Sequence, residues 1–237
     1  MIVTKHTKKI TQSLITGLTS LLLTTTAQAI NPTPGWYGGL FLGGSQASSP
    51  TFYYVNPTTD LVETGKLTHG FYGNIGAQIG YRFFDHYRIE AEMLANYNPY
   101  KQVRFGSITL NSTKRNTGYY LKGSTTLGAI MVNGLIDIYQ RDSESGISPY
   151  LGIGIGYARV MNKVKFYENG TVIPGSNIST SSSEPAAQGI AGIGLFADDY
   201  TFFGVDFRYL STDNVKKSNS RLQVASINLL FNGSFCL

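Results

Sequence analysis

The sequence predicts an all-β fold, an eight-stranded antiparallel up-and-down transmembrane β-barrel with long external loops and short periplasmic turns. Three observations predict it. Apolar and polar residues alternate with a period of two, aromatic residues mark the ends of the apolar faces, and long and short connections alternate. The composition agrees, because 27 glycines, 16 tyrosines and 13 phenylalanines beside only 14% charged residues are typical of many short strands.

The first 29 residues have the organisation of a secretory signal peptide. A basic start with three lysines is followed by an uncharged stretch and by the small-x-small site Ala27-Gln28-Ala29. The alternative is an N-terminal anchor helix, but the apolar stretch is short for a bilayer span and is interrupted by Gly17. We therefore expect cleavage of residues 1–29 and a barrel domain over residues 30–237.

The charge balance argues against a nucleic-acid partner. The full chain has 19 Lys and Arg against 14 Asp and Glu, and removal of the signal peptide leaves 16 against 14. Cys236 is the single cysteine, so neither an internal disulfide nor a cysteine-based metal site is expected. No cofactor and no metal ion is predicted.

The clearest alternation predicts a hairpin. In residues 71–83 and 87–97 one face is mostly apolar or aromatic and the other is mostly polar or glycine. Each segment is long enough to cross the hydrocarbon core when tilted, which takes about 9 to 11 residues. An earlier candidate strand, residues 36–45, has apolar residues or glycine on both faces, so its inward face stays open.

Five further segments with the same period complete the set of eight. They lie near residues 119–139, 149–160, 188–197, 200–209 and 222–235. The successive connections are roughly 22, 3, 21, 9, 27, 2 and 12 residues long, so all the long ones fall at one end. These predicted external loops are residues 46–67, 98–118, 161–187 and 211–221.

Eight such strands also suit a soluble sandwich or a soluble ligand-binding barrel, where the charged face would be the solvated exterior. A lipid-embedded barrel instead turns its apolar face outward around a polar lumen. The signal peptide, the aromatic ends and the loop asymmetry favour the membrane. The predicted lumen charge network is Arg82, Arg88, Glu90, Glu92, Asp137, Asp206 and Arg208. We expect these charges to pair and to close the narrow lumen, with a gated ion path as the alternative.

Four segments carry a resemblance to a known family. They are Gly35-Trp36-Tyr37-Gly38-Gly39, Gly76-Ala77-Gln78-Ile79-Gly80-Tyr81-Arg82-Phe83, Pro149-Tyr150-Leu151-Gly152-Ile153-Gly154-Ile155-Gly156-Tyr157 and Asp206-Phe207-Arg208-Tyr209. In this order they resemble the small eight-stranded outer-membrane proteins of the OmpA membrane-domain and Opa/Msp-type surface-antigen kind, over nearly the whole chain. The resemblance implies the outer membrane of a Gram-negative bacterium, surface-exposed loops, and barrel-assembly machinery that reads Phe235, although Cys236 and Leu237 follow it.

Two classes of function follow. The first, which the resemblance also implies, is a structural or interaction protein, a surface antigen or adhesin-like protein whose loops meet a host-surface ligand. The second external loop carries a basic cluster, which consists of Lys101, Arg104, Lys114 and Arg115. Such a cluster suits lipopolysaccharide phosphates or acidic host glycans. The outer-membrane lipids are a further expected partner. The second class is a small pore or a barrel lipid-modifying enzyme.

The positions of two histidines bear on the enzymatic alternative. His69 and His86 flank the second strand and are predicted at opposite ends of the barrel, so they cannot share a site. No local motif accompanies His69, which is therefore predicted to be a loop histidine. We expect no catalytic residue and no enzymatic activity.

Overall fold

A computed structural model describes residues 33–55, 60–84, 86–106, 108–112, 118–138, 146–215 and 220–235. The predicted signal peptide and Cys236 lie outside these residues. Among the described residues no helix is long and apolar enough to cross a membrane. The strands are β1 (Gly35–Ala47), β2 (Thr51–Val55), β3 (Val62–His69), β4 (Tyr72–Phe83), β5 (Tyr87–Phe105), β6 (Ile108–Asn111), β7 (Tyr119–Asp137), β8 (Ile147–Glu168), β9 (Thr171–Val172), β10 (Ile178–Phe196), β11 (Thr201–Val215) and β12 (Ser220–Phe235).

Eight of these strands form a closed antiparallel ring. Their order around the ring is β1, β4, β5, β7, β8, β10, β11 and β12, and β12 pairs back onto β1. Each ring strand therefore has a hydrogen-bonded neighbour on both sides, so the ring leaves no open edge. The ring confirms the predicted eight-stranded up-and-down barrel.

The outer face of the ring is apolar. Ile153 and Ile155 on β8 are 77% and 72% exposed, whereas Gly154 between them is buried. Aromatic side chains flank this apolar band at both ends: the rings of Trp36 and Tyr81 lie 5.3 Å apart at the end of the short turns, and those of Tyr72 and Tyr97 lie 5.2 Å apart at the other. Such an exposed apolar band between aromatic girdles is the surface that a barrel presents to lipid.

The pairing of β1 decides which of its faces points inward. Phe41 is buried in the lumen, and Leu40 and Leu42 are 63% and 61% exposed on the outside. The large ring of Phe41 fits because Gly76 lies opposite it on β4, where an added Cβ would stand 2.1 Å from Phe41 Cζ. The inward face that the sequence left open is thus set by the neighbouring strand.

The segments predicted as long external loops are in large part strands, which corrects that prediction. β2 and β3 lie in residues 46–67, and β6 lies in residues 98–118, where β5 also continues. β8 and β10 likewise extend into residues 161–187. Above the membrane no lipid requires one face of a strand to be apolar, so the strict alternation that reveals the membrane-crossing part is lost there.

These external strands have a small core of their own. Tyr100, Val103 and Leu121 are buried together, and Leu67 and Phe166 pack against them. The sheet therefore continues outward as an ordered structure above the barrel.

The short turns lie at the opposite end of the barrel. Between β10 and β11 the Asp198 carboxylate accepts hydrogen bonds from the backbone N–H groups of Tyr200 and Thr201, at 2.8 and 2.6 Å. These bonds favour the ionised carboxylate and lower the pKa of Asp198. A tight, side-chain-capped turn of this kind matches the predicted short periplasmic turns.

The two ends of the barrel make opposite predictions for chemical labelling of intact cells. In a Cys236→Ser background, Tyr53→Cys on β2 is expected to react with a membrane-impermeant maleimide, because Tyr53 is 77% exposed on an external strand. Phe84→Cys, at a position 80% exposed in the turn after β4, is the matched control and is expected to react only after the outer membrane is permeabilised. Labelling of Phe84→Cys in intact cells would contradict this orientation.

Candidate functional site

The structure places all seven residues of the lumen charge network on the inward face of the ring. Each of them is buried, at 1–4% exposure. They come from β4, β5, β7 and β11, which are not all neighbours, so their side chains meet across the lumen rather than along one strand. They form two groups at different depths.

The first group lies in the half of the barrel near the short turns. Arg88 donates to Asp137 Oδ1 at 2.8 Å and to Glu90 Oε1 at 3.1 Å. The Tyr37 hydroxyl donates to the same Glu90 oxygen at 2.6 Å, and Arg82 Nε lies 3.8 Å from Asp137 Oδ2. Two arginines thus balance two carboxylates in a region without bulk water, where an unpaired ion is costly.

The second group lies in the middle of the lumen around Arg208. Its guanidinium donates to Glu92 Oε2 and, at 2.9 Å, to Asp206 Oδ2. Amide side chains add further donors: Asn133 donates to the same Glu92 oxygen and Asn228 donates to Asp206 Oδ1, both at 2.7 Å. One cation between two carboxylates, with these amide donors, forms a buried hydrogen-bonded network.

Aromatic rings pack against all three guanidinium groups. Phe196 lies 4.9 Å from Arg82 Cζ, Tyr150 lies 4.9 Å from Arg88 Cζ, and Phe41 lies 4.0 Å from Arg208 Cζ. Flat guanidinium groups suit such stacking better than lysine ammonium groups. The stacking fixes the arginines in place and explains why the lumen cations are arginines.

An apolar layer, which the sequence reasoning missed, extends from the Arg208 group toward the external end of the lumen. Phe41, Leu94, Leu127, Met131 and Leu230 are buried together there with smaller aliphatic residues. The signal was present, because Leu94 and Met131 have the same parity as the charged residues of their strands. The lumen therefore holds apolar as well as charged side chains, rather than being polar throughout.

His69 is not a loop histidine, contrary to the prediction. It is the last residue of β3 and is buried, with Nε2 2.9 Å from Thr125 Oγ1 and the Tyr100 ring 5.3 Å away. Burial above the aromatic girdle lowers the pKa of His69 and favours the neutral ring. Among the described residues no carboxylate pairs with His69, and no group of three or more potential metal ligands is found.

Phe235 is the last residue of β12 and pairs with Trp36 at the girdle near the short turns. Its side chain points outward and is 40% exposed, in phase with Phe231. Its role as an assembly signal stays a prediction. Of the predicted basic cluster, Lys101 and Arg104 are exposed on β5, whereas Lys114 and Arg115 lie outside the described residues.

The comparisons with known proteins agree with this architecture. The family described as outer membrane protein beta-barrel domain matches residues 16–227. The chain belongs to this outer-membrane β-barrel family. Its location is the outer membrane of a Gram-negative bacterium. No curated protein sequence matches the chain.

Several solved outer-membrane barrels are structurally similar. OprG from Pseudomonas aeruginosa is 12% identical with a TM-score of 0.51, and the match covers 88% of this chain and all of that one, which shows the shared fold. Neisserial surface protein A is 16% identical with a TM-score of 0.49, over 85% of this chain and 97% of that one. Ail, the attachment invasion locus protein of Yersinia pestis, is 10% identical with a TM-score of 0.42, over 84% and 99%.

The charge network of this outer-membrane barrel predicts a large effect of Arg88→Met on stability. The substitution leaves Asp137 and Glu90 without their main cation, so we expect a loss of about 3–5 kcal/mol in the free energy of unfolding. Urea unfolding in phospholipid vesicles, followed by the fluorescence of Trp36, the single tryptophan, measures it.

Two further variants control this experiment. The exposed Arg221→Met should change the free energy of unfolding by less than about 0.5 kcal/mol. Arg88→Met combined with Glu90→Gln should recover much of the loss, because Arg82 and Asp137 then remain as one balanced buried pair. An Arg88→Met protein as stable as the wild type would show that the network does not stabilise the barrel.

Proposed function

We propose that this outer-membrane barrel is a non-enzymatic, non-conducting surface protein, whose external strands form an interaction surface of the antigen or adhesin type. The barrel anchors these strands and holds them in a fixed arrangement above the membrane. The small pore and the lipid-modifying enzyme are the competing functions, and the experiments below distinguish them.

The observation that carries the proposal is a set of large apolar side chains exposed on the external strands. Tyr53, Val62 and Ile108 are 77%, 68% and 63% exposed. They lie on β2, β3 and β6, outside the ring and beyond the aromatic girdle, where neither lipid nor the barrel covers them. Tyr53 and Val62 share one face of the β2–β3 pair, and large apolar residues exposed to water are typical of protein contact sites.

The filling of the lumen argues against the pore. A permeating ion would have to pass the paired Arg88 and Asp137, then the Arg208 group, and then the apolar layer around Leu127. Ions are strongly disfavoured in such an apolar layer, and eight strands leave an interior that side chains nearly fill.

Conductance in planar lipid bilayers tests the closed lumen. The purified protein is expected to show no porin-like conductance, and Arg82→Gln is expected to lower stability without opening a large conductance, because the Arg208 group and the apolar layer remain. A stably folded protein with steady porin-like conductance would favour the pore instead.

Adhesion of whole cells tests the interaction surface. The protein is expressed in a Gram-negative laboratory host without adhesins of its own, and retention is measured on epithelial monolayers and on immobilised fibronectin, laminin and collagen. The triple variant Tyr53→Thr, Val62→Thr and Ile108→Thr should lower retention by about tenfold or more, since buried apolar anchors dominate such contacts.

The matched control changes three exposed polar residues of the external strands: Thr64→Ser, Thr109→Ser and Thr171→Ser. It should leave retention unchanged. Surface exposure of every variant is checked by maleimide labelling of an introduced cysteine. Wild-type cells that are retained no better than cells with an empty vector, on all of these surfaces, would contradict the proposed function.

A further inference from the structure

Four cations share the outward face of two neighbouring strands just beyond the external aromatic girdle. They are Lys122 on β7 and Arg159, Lys163 and Lys165 on β8, and all four are exposed. Their parity is that of Ile130 and Ile155, which belong to the outward apolar band lower on the same strands. We call this set the basic face.

The basic face brings like charges together. Lys122 and Lys165 are directly opposite each other in the pairing of β7 with β8. Two like charges at such a position repel and destabilise the sheet. None of the four cations of the basic face forms an ion pair within the described residues. Within the described residues no carboxylate therefore offsets this repulsion, whereas a bound anion does.

Part of the basic face is held in position. Lys122 Nζ lies 5.5 Å from the centroid of the Tyr167 ring and 5.9 Å from that of Tyr120, and the two rings stack at 4.7 Å. A cation over an aromatic face is attracted to it, so the ammonium group is kept on the outer wall of the barrel.

Serine residues are the strand partners of two of the cations. On β10, Ser179 is paired with Lys163, and Ser183 is paired with Arg159. On β7, Ser124 is also paired with Lys163. Hydroxyl donors beside lysine and arginine are the partners that phosphate oxygens bind.

The height of the basic face matches the polar zone of the outer leaflet. On β8 the outward apolar residues Ile153 and Ile155 are followed by the aromatic Tyr157, which is 68% exposed. Arg159 lies two residues beyond Tyr157 on the same strand, and Lys165 lies eight residues beyond it. At about 3.3 Å per residue the cations thus span roughly 20 Å along the strand, from the lipid boundary upward.

We propose that the basic face binds the phosphate groups of lipopolysaccharide in the outer leaflet. Arg159 meets the lipid A phosphates near the hydrocarbon boundary, and Lys122, Lys163 and Lys165 meet phosphates of the inner core sugars above them. Continuity of the cations with the lipid-facing apolar band selects a membrane glycolipid over a soluble polyanion. This inference rests on the outer-membrane location and not on the proposed adhesive function.

Binding of purified, full-length protein to bisphosphorylated lipid A and to core-bearing lipopolysaccharide tests the proposal. The protein is held in phosphatidylcholine nanodiscs at about 0.15 M salt, and native mass spectrometry counts the bound glycolipid. Each cation beside an anionic lipid surface is expected to contribute about 5-fold in affinity, so Lys122→Gln with Lys165→Gln should weaken binding about 25-fold. Inorganic phosphate at millimolar concentration should not compete if the site takes the glycolipid.

The matched control is Lys66→Gln with Arg221→Gln. These residues are also exposed cations, and they lie on β3 and β12, away from β7 and β8. The control removes the same charge and should leave glycolipid binding unchanged. The shift of the folded band on unheated gels verifies that each variant is folded.

Three outcomes would overturn the proposal. They are equal weakening in test and control variants, no weakening in the test variant, and displacement of the glycolipid by inorganic phosphate. Unchanged lipopolysaccharide binding together with lost retention on heparin resin would assign the basic face to soluble glycans instead. Adhesion of whole cells is a separate measurement, so loss of the proposed adhesive function leaves this result intact.

Discussion

The hydrocarbon core offers no water to an unpaired backbone group, and this constraint governs the whole structure. Every strand that crosses the membrane must have two hydrogen-bonded neighbours, which a sheet achieves only by closing. Here closure is the pairing of β1 with β12, in which Leu40 lies opposite Phe231. Once the ring is closed, alternate side chains of each strand face lipid, and the side chains between them face the lumen. The apolar band, the girdles and the buried charges all follow from that division.

Closure with eight strands makes the lumen narrow, and the narrowness sets the chemistry of its interior. Side chains from opposite walls meet, so a buried charge can find a partner on a strand that is not its neighbour, as Arg208 of β11 does with Glu92 of β5. Such pairs connect opposite walls of the barrel. Their effect is mainly that removal of one partner lowers the free energy of unfolding. The arginines also pack against aromatic rings, so the same side chains balance the buried carboxylates and fill the lumen.

The sequence predicts the ring strands and the lumen-facing charges well because lipid on one side and a packed lumen on the other impose a strict period of two. It does not predict the inward face of β1, because its two faces have similar composition and register with Gly76 of β4 decides between them. It does not predict the apolar layer, because a layer joins residues of several strands at one height, and height depends on the stagger of the barrel. The external strands and the burial of His69 are missed for a related reason: above the membrane no lipid requires one face of a strand to be apolar, so the strict alternation is lost.

The same constraint explains where the edges of the sheet are. β2, β6 and β9 each pair with one strand only, and all three lie above the membrane, where water satisfies the free backbone groups. Pro185, which has no N–H to donate, stands on β10 at the first position beyond the last pair with β11. The described ring below that point has no such edge. The transition from a closed ring to open edges therefore marks the boundary between lipid and water. The external sheet does not have to close. Its strands can therefore diverge and expose residues such as Tyr53.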